Sequence, residues 1–235
     1  MFEGTEKKQI YELTILMPCR NEERAVVSCV ERAADYLKKR GIRGEILVVD
    51  NGSTDRSAEL AVSHGARVVH VRKPGYGRAL RGGMKAARGR VIVMADCDTT
   101  YDFYETDKLY GPLAKGSYDL MIGDRFSGGI ERGAMPISHR IGGKFLSWLA
   151  RKRFRTKIRD FHCGFRGITK EAWERINIDL TAAGMEFATE MIAVAARDNL
   201  RIGQTPVRLK RCRVRRRSKL RIVRDGFRHL RYILK

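Results

Sequence analysis

Two carboxylates separated by one residue close an apolar run at Val91-Ile92-Val93-Met94-Ala95-Asp96-Cys97-Asp98. Along extended backbone, side chains two apart point the same way, so Asp96 and Asp98 aim together from the end of the run. Oxygen ligands in such a pair suit a hard divalent cation that also holds a substrate phosphate. Taken alone, an Asp-x-Asp tripeptide serves as readily as a helix cap beside a solvated acid. Asp50 closes a second apolar run, Glu45 to Val49, in the same manner. It suits a ribose or a base, and equally a turn. Gly75-Tyr76-Gly77 opens a helix whose first N–H groups can receive a phosphate. It lacks the Gly-Lys-Ser/Thr of a phosphate loop and the glycine spacing of a dinucleotide fingerprint. Glu22 and Glu23 follow Asn21, a candidate N-cap, and fit the positive end of a helix without any further role.

The elements that must position these groups alternate. Apolar runs at 13–17, 45–49, 67–71, 91–95 and 119–123 read as strands. Runs of this kind, largely apolar without strict alternation, mark strands buried on both faces of a mostly parallel sheet. Helical stretches lie between them, so the first half is a doubly wound α/β domain of nucleotide-binding type. Ligands of such sheets sit at the carboxyl ends of the strands, where Asp50 and Asp96 lie. Beyond 126 the chain reads as a Gly-rich loop over the crevice (127–136), a helix (139–153), a strand (161–168) and a helix (184–199) carrying Glu186 and Glu190. A last strand (201–209) holds Pro206, which suggests a sheet edge.

The 235 residues carry a net charge of +21. An anionic partner follows: nucleic acid, a membrane surface or phosphorylated substrates. The excess is concentrated, since 208–235 holds ten Arg, three Lys and one Asp. Within it Leu220, Val223, Phe227, Leu230 and Leu234 form one apolar helix face beside Arg221, Arg224, Arg228 and Arg231. That pattern fits a helix lying on an anionic membrane and, as well, one packed on its own domain. We therefore divide the chain into an α/β domain, 1–210, and a basic amphipathic segment, 211–235. Five cysteines without Cys-x-x-Cys spacing read as reduced thiols, and the polar start shows no secretory leader. No run of 18 apolar residues is present, so membrane contact is expected to be peripheral, on the inner face of the cell membrane.

Together the segments Met17-Pro18-Cys19-Arg20-Asn21-Glu22, Val48-Val49-Asp50-Asn51-Gly52-Ser53-Thr54-Asp55, Met94-Ala95-Asp96-Cys97-Asp98 and Gly123-Asp124-Arg125-Phe126 resemble family 2 glycosyltransferases of the GT-A fold. The basic segment Arg215 to Leu220, followed by Arg224-Asp225-Gly226-Phe227-Arg228, makes the polyprenyl-phosphate sugar synthases, the dolichol-phosphate mannose synthase group, the nearest likeness. The resemblance implies a nucleotide pocket lined by Pro18, Arg20, Glu22, Asp50 and Cys97. Asp96 and Asp98 would hold Mg²⁺ or Mn²⁺ on the sugar-nucleotide diphosphate. Arg125 and Arg215 would contact the donor, and Arg140 and Lys219 the acceptor phosphate. Thr100 stands where the family often carries Gln, which leaves the third metal ligand open. The implied reaction is inverting transfer of a hexose, from a GDP-mannose or UDP-glucose type of donor, to a polyprenyl or dolichyl phosphate. A family member with a soluble acceptor is the near alternative. A non-enzymatic nucleic-acid binder is the distant one, disfavoured because no stacking-aromatic motif or nucleic-acid module is visible.

Overall fold

The computed structural model describes residues 11–214 and 222–235. The chain begins with β1 (Tyr11–Cys19), α1 (Glu23–Arg40), β2 (Gly44–Asp50), α2 (Ser57–Ser63) and β3 (Arg67–His70). It continues through α3 (Tyr76–Ala86), β4 (Gly89–Met94), α4 (Asp107–Ala114), β5 (Leu120–Asp124) and the single turn α5 (Arg125–Gly128). Then come α6 (Ile137–Arg153), β6 (Arg166–Thr169), α7 (Lys170–Ile176), α8 (Phe187–Arg197), β7 (Ile202–Pro206) and α9 (Ile222–Leu234).

Seven strands form one sheet in the order β3-β2-β1-β4-β6-β5-β7. The strand that ends in the paired aspartates, β4, is therefore its middle member. Ile15, Leu16 and Met17 of β1 are consecutive and all fully buried. Successive strand residues face opposite ways, so helices must cover both faces of the sheet. The chain leaves β1 toward β2 and β3, then returns to the other side of β1 to build β4. The sense of winding reverses between β1 and β4, which opens a crevice at their carboxyl ends.

Two departures from the sequence reading concern this frame. First, β5 does not pair with β4: β6 lies between them, antiparallel to both. Second, the strand expected over 161–168 is confined to its last residues. The preceding segment is held as a wall by Arg166, whose fully buried guanidinium donates to the carbonyls of Phe161, Cys163 and Ala188. A buried guanidinium must find acceptors, and here it takes backbone oxygens that a strand would have used in its ladder. Pro206 does end an edge strand, as expected. The 127–136 loop is tied to the segment after β7, through Glu131 N–H to the Leu209 carbonyl and Leu209 N–H to the Gly129 carbonyl, 3.0 and 2.9 Å.

At the amino ends of the strands, Glu45 cross-links β1, β2, β3 and the connection into β4. It accepts from the Thr14 hydroxyl at 2.8 Å, the Arg67 guanidinium at 2.9 Å and the Arg88 N–H at 2.7 Å. On the far side of the sheet Arg125 grips Asp160 with two parallel bonds, 2.7 and 2.8 Å, and the carboxylate is fully buried.

Burial alone would push the Asp160 carboxyl up, but the Arg125 charge and hydrogen bonds outweigh it and hold it below the usual carboxylate range. A depressed folded-state pKa contributes stability that is complete above the unfolded value, roughly 4, and is lost as pH falls through the folded value. Replacing Asp160 by Asn strands the guanidinium and is expected to cost about 3–5 kcal/mol near neutral pH. The deficit relative to the parent should narrow below about pH 4, where the parent also loses its carboxylate charge. Urea unfolding of both proteins across pH measures this; a deficit that is small, or unchanged at low pH, would show that the ion pair contributes no charge-dependent stability.

Candidate active site

The crevice predicted by the winding is a cavity of about 290 Å³ at the ends of β1, β2 and β4. Pro18, Cys19, Arg20 and Glu22 enter it from β1 and the turn that follows, Asn51 from the end of β2, and Asp96, Cys97 and Asp98 from the end of β4. Gly75, Tyr76 and Ala79 form the α3 side, and Gly184 and Met185 the loop before α8. Arg224, Asp225 and Arg228 of α9 complete it.

Each carboxylate of the pair is oriented by a neighbour. The Tyr76 hydroxyl donates to Asp96 Oδ1 at 3.1 Å. Burial, and then the Asp96 charge, push the Tyr76 hydroxyl pKa well up, so it stays protonated and remains a donor. Asp98 Oδ1 accepts from the Thr100 N–H at 3.1 Å and from the Thr100 hydroxyl. The turn after Asp98 bends through Thr99 at φ 65°, the left-handed region that β-branched residues avoid. Such a position costs on the order of 1–3 kcal/mol and persists only where its surroundings enforce it. The Thr99 hydroxyl accepts from the Arg213 N–H at 3.3 Å, and the Thr100 carbonyl from the Lys210 N–H at 2.8 Å. The basic segment therefore anchors the turn that aims Asp98.

Glycines set the clearances. A Cβ on Gly164 would lie 2.4 Å from Asp96 Oδ2, so only glycine leaves the carboxylate its place. Gly75, at φ 148°, and Gly77 would collide with the Ala183 and Ala182 carbonyl oxygens at 2.3 and 2.4 Å. The Gly77 and Arg78 N–H groups at the start of α3 both donate to the Ala183 carbonyl, 3.1 and 3.4 Å. The Gly-rich turn thus receives a backbone loop in the place where the sequence suggested a phosphate. Buried Glu190 fixes that loop, accepting from the Thr181 N–H and hydroxyl and the Ala182 N–H at 2.9–3.0 Å.

The Asp50 to Asp55 motif is largely a hydrogen-bonding hub. Asp50 accepts from the Ser53 N–H and pairs with the His70 ring, each at 3.1 Å. Burial would raise its pKa, but the Ser53 and His70 bonds prevail and hold the carboxyl below its usual range. Asp50 does not line the cavity; its neighbour Asn51 does. Asn51 donates to the Val71 and Lys73 carbonyls at 3.0 Å and accepts from the Gly75 N–H at 2.7 Å, which pins the loop ahead of Tyr76. Asn21 is not the cap of α1. Its side chain accepts from the Thr54 N–H at 2.7 Å, and Glu22 occupies the N-cap position.

Of the residues expected at the site, Pro18, Arg20, Glu22, Asp96, Cys97 and Asp98 share the cavity. Cys97 packs with Cys19 and Cys29, whose hydrogen bonds together with burial raise its thiol pKa far above the ordinary value, so it supplies shape rather than a thiolate. Arg125 does not line the cavity, because Asp160 holds its guanidinium. Arg140 lies in the first turns of α6, outside the lining, with a buried Nε that has no partner among the described residues. Arg215 and Lys219 fall outside the described residues. Tyr76, Asn51, Gly164, Arg224 and Arg228 were not selected from the sequence as site residues. The Gly-Tyr-Gly signal pointed to the right loop, but a contact between residues 76 and 96 has no sequence signature.

Two oxygen-rich carboxylates on one cavity wall fit a hard divalent cation. No set of three or more His, Cys, Asp or Glu positioned for a metal occurs among the described residues. Substrate phosphate oxygens and water would therefore supply the remaining positions, the usual arrangement for Mg²⁺ and its relatives. Gly164→Ala should displace Asp96 and weaken Mn²⁺-dependent binding of a nucleoside diphosphate at least about tenfold, or 1.4 kcal/mol, with little change in the unfolding midpoint of the free protein. Calorimetric titration with and without Mn²⁺ reads this; unchanged affinity would remove Asp96 from the metal site.

Residues 14–176 match the family model for glycosyl transferase family 2. A low-salt glycan biosynthesis hexosyltransferase, Agl6 of Haloferax volcanii, is 35% identical over 223 residues, 94% of this chain and 53% of its own length. The chain thus spans about half the length of that relative. A dolichyl-phosphate hexose transferase of the same organism is 34% identical over 160 residues, 68% of this chain and 67% of its own. Among solved structures, glucosyl-3-phosphoglycerate synthase from Mycobacterium tuberculosis, in complex with Mn²⁺, UDP-glucose and phosphoglyceric acid, superimposes with a TM-score of 0.73 at 20% identity. That alignment covers 95% of this chain and 77% of the other, a likeness of fold. The seven-stranded sheet, the crevice at its winding reversal and the family match agree: this chain is a member of glycosyl transferase family 2 with the GT-A fold.

Proposed function

We propose that the chain transfers a hexose from a nucleoside-diphosphate sugar to a polyprenyl or dolichyl phosphate at a membrane surface, with inversion at the anomeric carbon. The observation that carries the proposal is the joint exposure of Asp96 and Asp98 to a cavity whose other charged walls include Arg20, Arg224 and Arg228. A diphosphate entering such a cavity needs its charge balanced from both sides: a divalent ion against the carboxylates, guanidinium groups against the remaining oxygens.

Mg²⁺ or Mn²⁺, when bound, neutralises the negative charge that builds on the departing nucleoside diphosphate. The chain's own residues do the rest. Asp96 and Asp98 would hold that ion and so fix where the diphosphate sits. The arginines hold donor and acceptor phosphates together against their mutual repulsion, which converts a two-body encounter into a positioned one. The acceptor phosphate oxygen forms its bond to the anomeric carbon as the bond to the donor diphosphate breaks, and the diphosphate leaves with that electron pair. A phosphate monoester has a second pKa of roughly 6, so the nucleophile is already deprotonated at neutral pH and needs no strong base. Among the described residues, no histidine lines the cavity. Arg140 and Lys219 are our candidates for the acceptor phosphate and Arg215 for the donor; Arg125, whose guanidinium Asp160 holds outside the cavity lining, serves the frame.

The lipid acceptor is favoured by the dolichyl-phosphate hexose transferase among the relatives, by the charge of +21 and by the composition of α9. A soluble phosphorylated acceptor is the second reading, favoured by the phosphoglyceric acid bound in a structure of similar fold. No helix among the described residues is long and apolar enough to cross a membrane. Any membrane contact that these residues make is therefore peripheral.

The test is a transfer assay with GDP-mannose, UDP-glucose and UDP-N-acetylglucosamine, each with Mn²⁺, offered a prenyl phosphate or phosphoglyceric acid. One donor should label the prenyl phosphate, with the anomeric configuration inverted. Asp98→Asn should lower that rate by at least about a hundredfold while the protein stays folded. Transfer to phosphoglyceric acid alone would favour the second reading, and full activity in the Asp98 variant would remove the metal-assisted mechanism.

A further inference from the structure

Helix α6 is apolar on the side turned away from the protein. Its buried residues, Ser147 and Ala150, face inward, whereas Ile137, Ile141, Phe145 and Trp148 are between 44% and 75% exposed. At 3.6 residues per turn these four fall within an arc of roughly 80°, opposite the buried side. Phe145 and Trp148 stack on one another at 6.1 Å, and the Lys152 ammonium lies 4.4 Å from the centre of the Trp148 ring. Packed beside α6 is α9, which docks on the domain through Asp225, His229 and Ile233 and leaves Phe227 and Leu234 exposed. Of the apolar stripe read from the sequence, Phe227 and Leu234 therefore face solvent, while a largely polar face packs inward.

From this we infer that the outer faces of α6 and α9 together form a surface that inserts into an anionic lipid bilayer. Charge decides the occupant. α6 contains five Arg or Lys and no acid; α9 contains three Arg, and its one acid, Asp225, is buried. A second copy of the chain would bring the same positive charge against it, which is unfavourable across an interface. Anionic headgroups complement it, while aromatic and aliphatic tips enter the acyl boundary and lysine stems reach back to the surface. An exposed apolar row of this kind on a water-facing protein marks an interaction site. Continuity with the cleft gives it a purpose: α9 lines the cavity through Arg224 and Arg228 and exposes Phe227 a residue away. The inference deepens the lipid-phosphate reading and rests on it for that purpose; the surface itself is read from exposure and charge.

The chain carries its own probe. It has two tryptophans, and the other, Trp173, is buried, so a vesicle-dependent change in emission reports Trp148. Vesicles of phosphatidylcholine mixed with phosphatidylglycerol should shift Trp148 emission to the blue, and brominated acyl chains should quench it. Pure phosphatidylcholine should do so at least about tenfold more weakly. The double variant Ile141→Glu, Phe145→Glu changes only exposed side chains. It should unfold at the parent's temperature and lose at least about tenfold in vesicle partition. Vesicle binding without quenching, parental binding by the double variant, or a dimer that the double variant dissolves would each overturn the inference. Transfer to a short, water-soluble prenyl phosphate in vesicle-free buffer separates the two readings: activity there with no vesicle insertion sinks the docking surface alone, and insertion with no transfer to any prenyl phosphate sinks the acceptor alone.

Discussion

Two carboxylates from the end of one strand reach into one cavity, and the rest of the molecule is built around that pair. Neutral donors help to orient both. The Tyr76 hydroxyl holds Asp96 and the Thr100 N–H and hydroxyl hold Asp98. The position of β4 at the centre of the sheet fixes the backbone beneath them. A cation of two charges is the natural partner for such a pair, and the diphosphate of a sugar nucleotide the natural partner for the cation.

Clearance matters as much as charge. Gly164 leaves room for the Asp96 carboxylate, and Gly75 and Gly77 let the 181–184 loop close over the start of α3. Glu190, which the sequence placed on a helix without assigning it a task, holds that loop from beneath. The acids of the Asp50 to Asp55 motif and Asn51 join the loops after β1, β2 and β3 into one cavity wall. Much of what looks like ligand chemistry in the sequence is chemistry between loops, and the cavity is what those loops leave open.

The frame was legible in the sequence because it rests on local signals. Largely apolar strands without strict alternation announced a sheet covered on both sides, and Pro206 announced its edge. The position of β6 was not legible: antiparallel insertion between β4 and β5 depends on pairing across some 75 residues, to which period and propensity are blind. The paired aspartates were found by their spacing. Arg125 was expected at the donor from the resemblance of its Gly-Asp-Arg-Phe segment, but the buried acid that claims it, Asp160, lies 35 residues later, just ahead of a segment read as strand. The tail shows the same limit. Its apolar stripe was visible, whereas the side on which the helix would dock depended on His229 meeting Thr189 and His162 inside the domain.

α9 also joins two tasks that the sequence kept apart. One flank of this helix completes the cavity through Arg224, Asp225 and Arg228, while Phe227 and Leu234 look outward. A lipid-borne phosphate could then approach from the membrane side without a path through water. All of this presumes a divalent ion between the aspartates. Its position is measurable directly, by anomalous scattering from crystals grown with Mn²⁺ and a nucleoside diphosphate. The account predicts one strong peak bridging the diphosphate and the carboxylates of Asp96 and Asp98. Nucleotide bound in the cavity with the metal peak elsewhere, or with none, would contradict it.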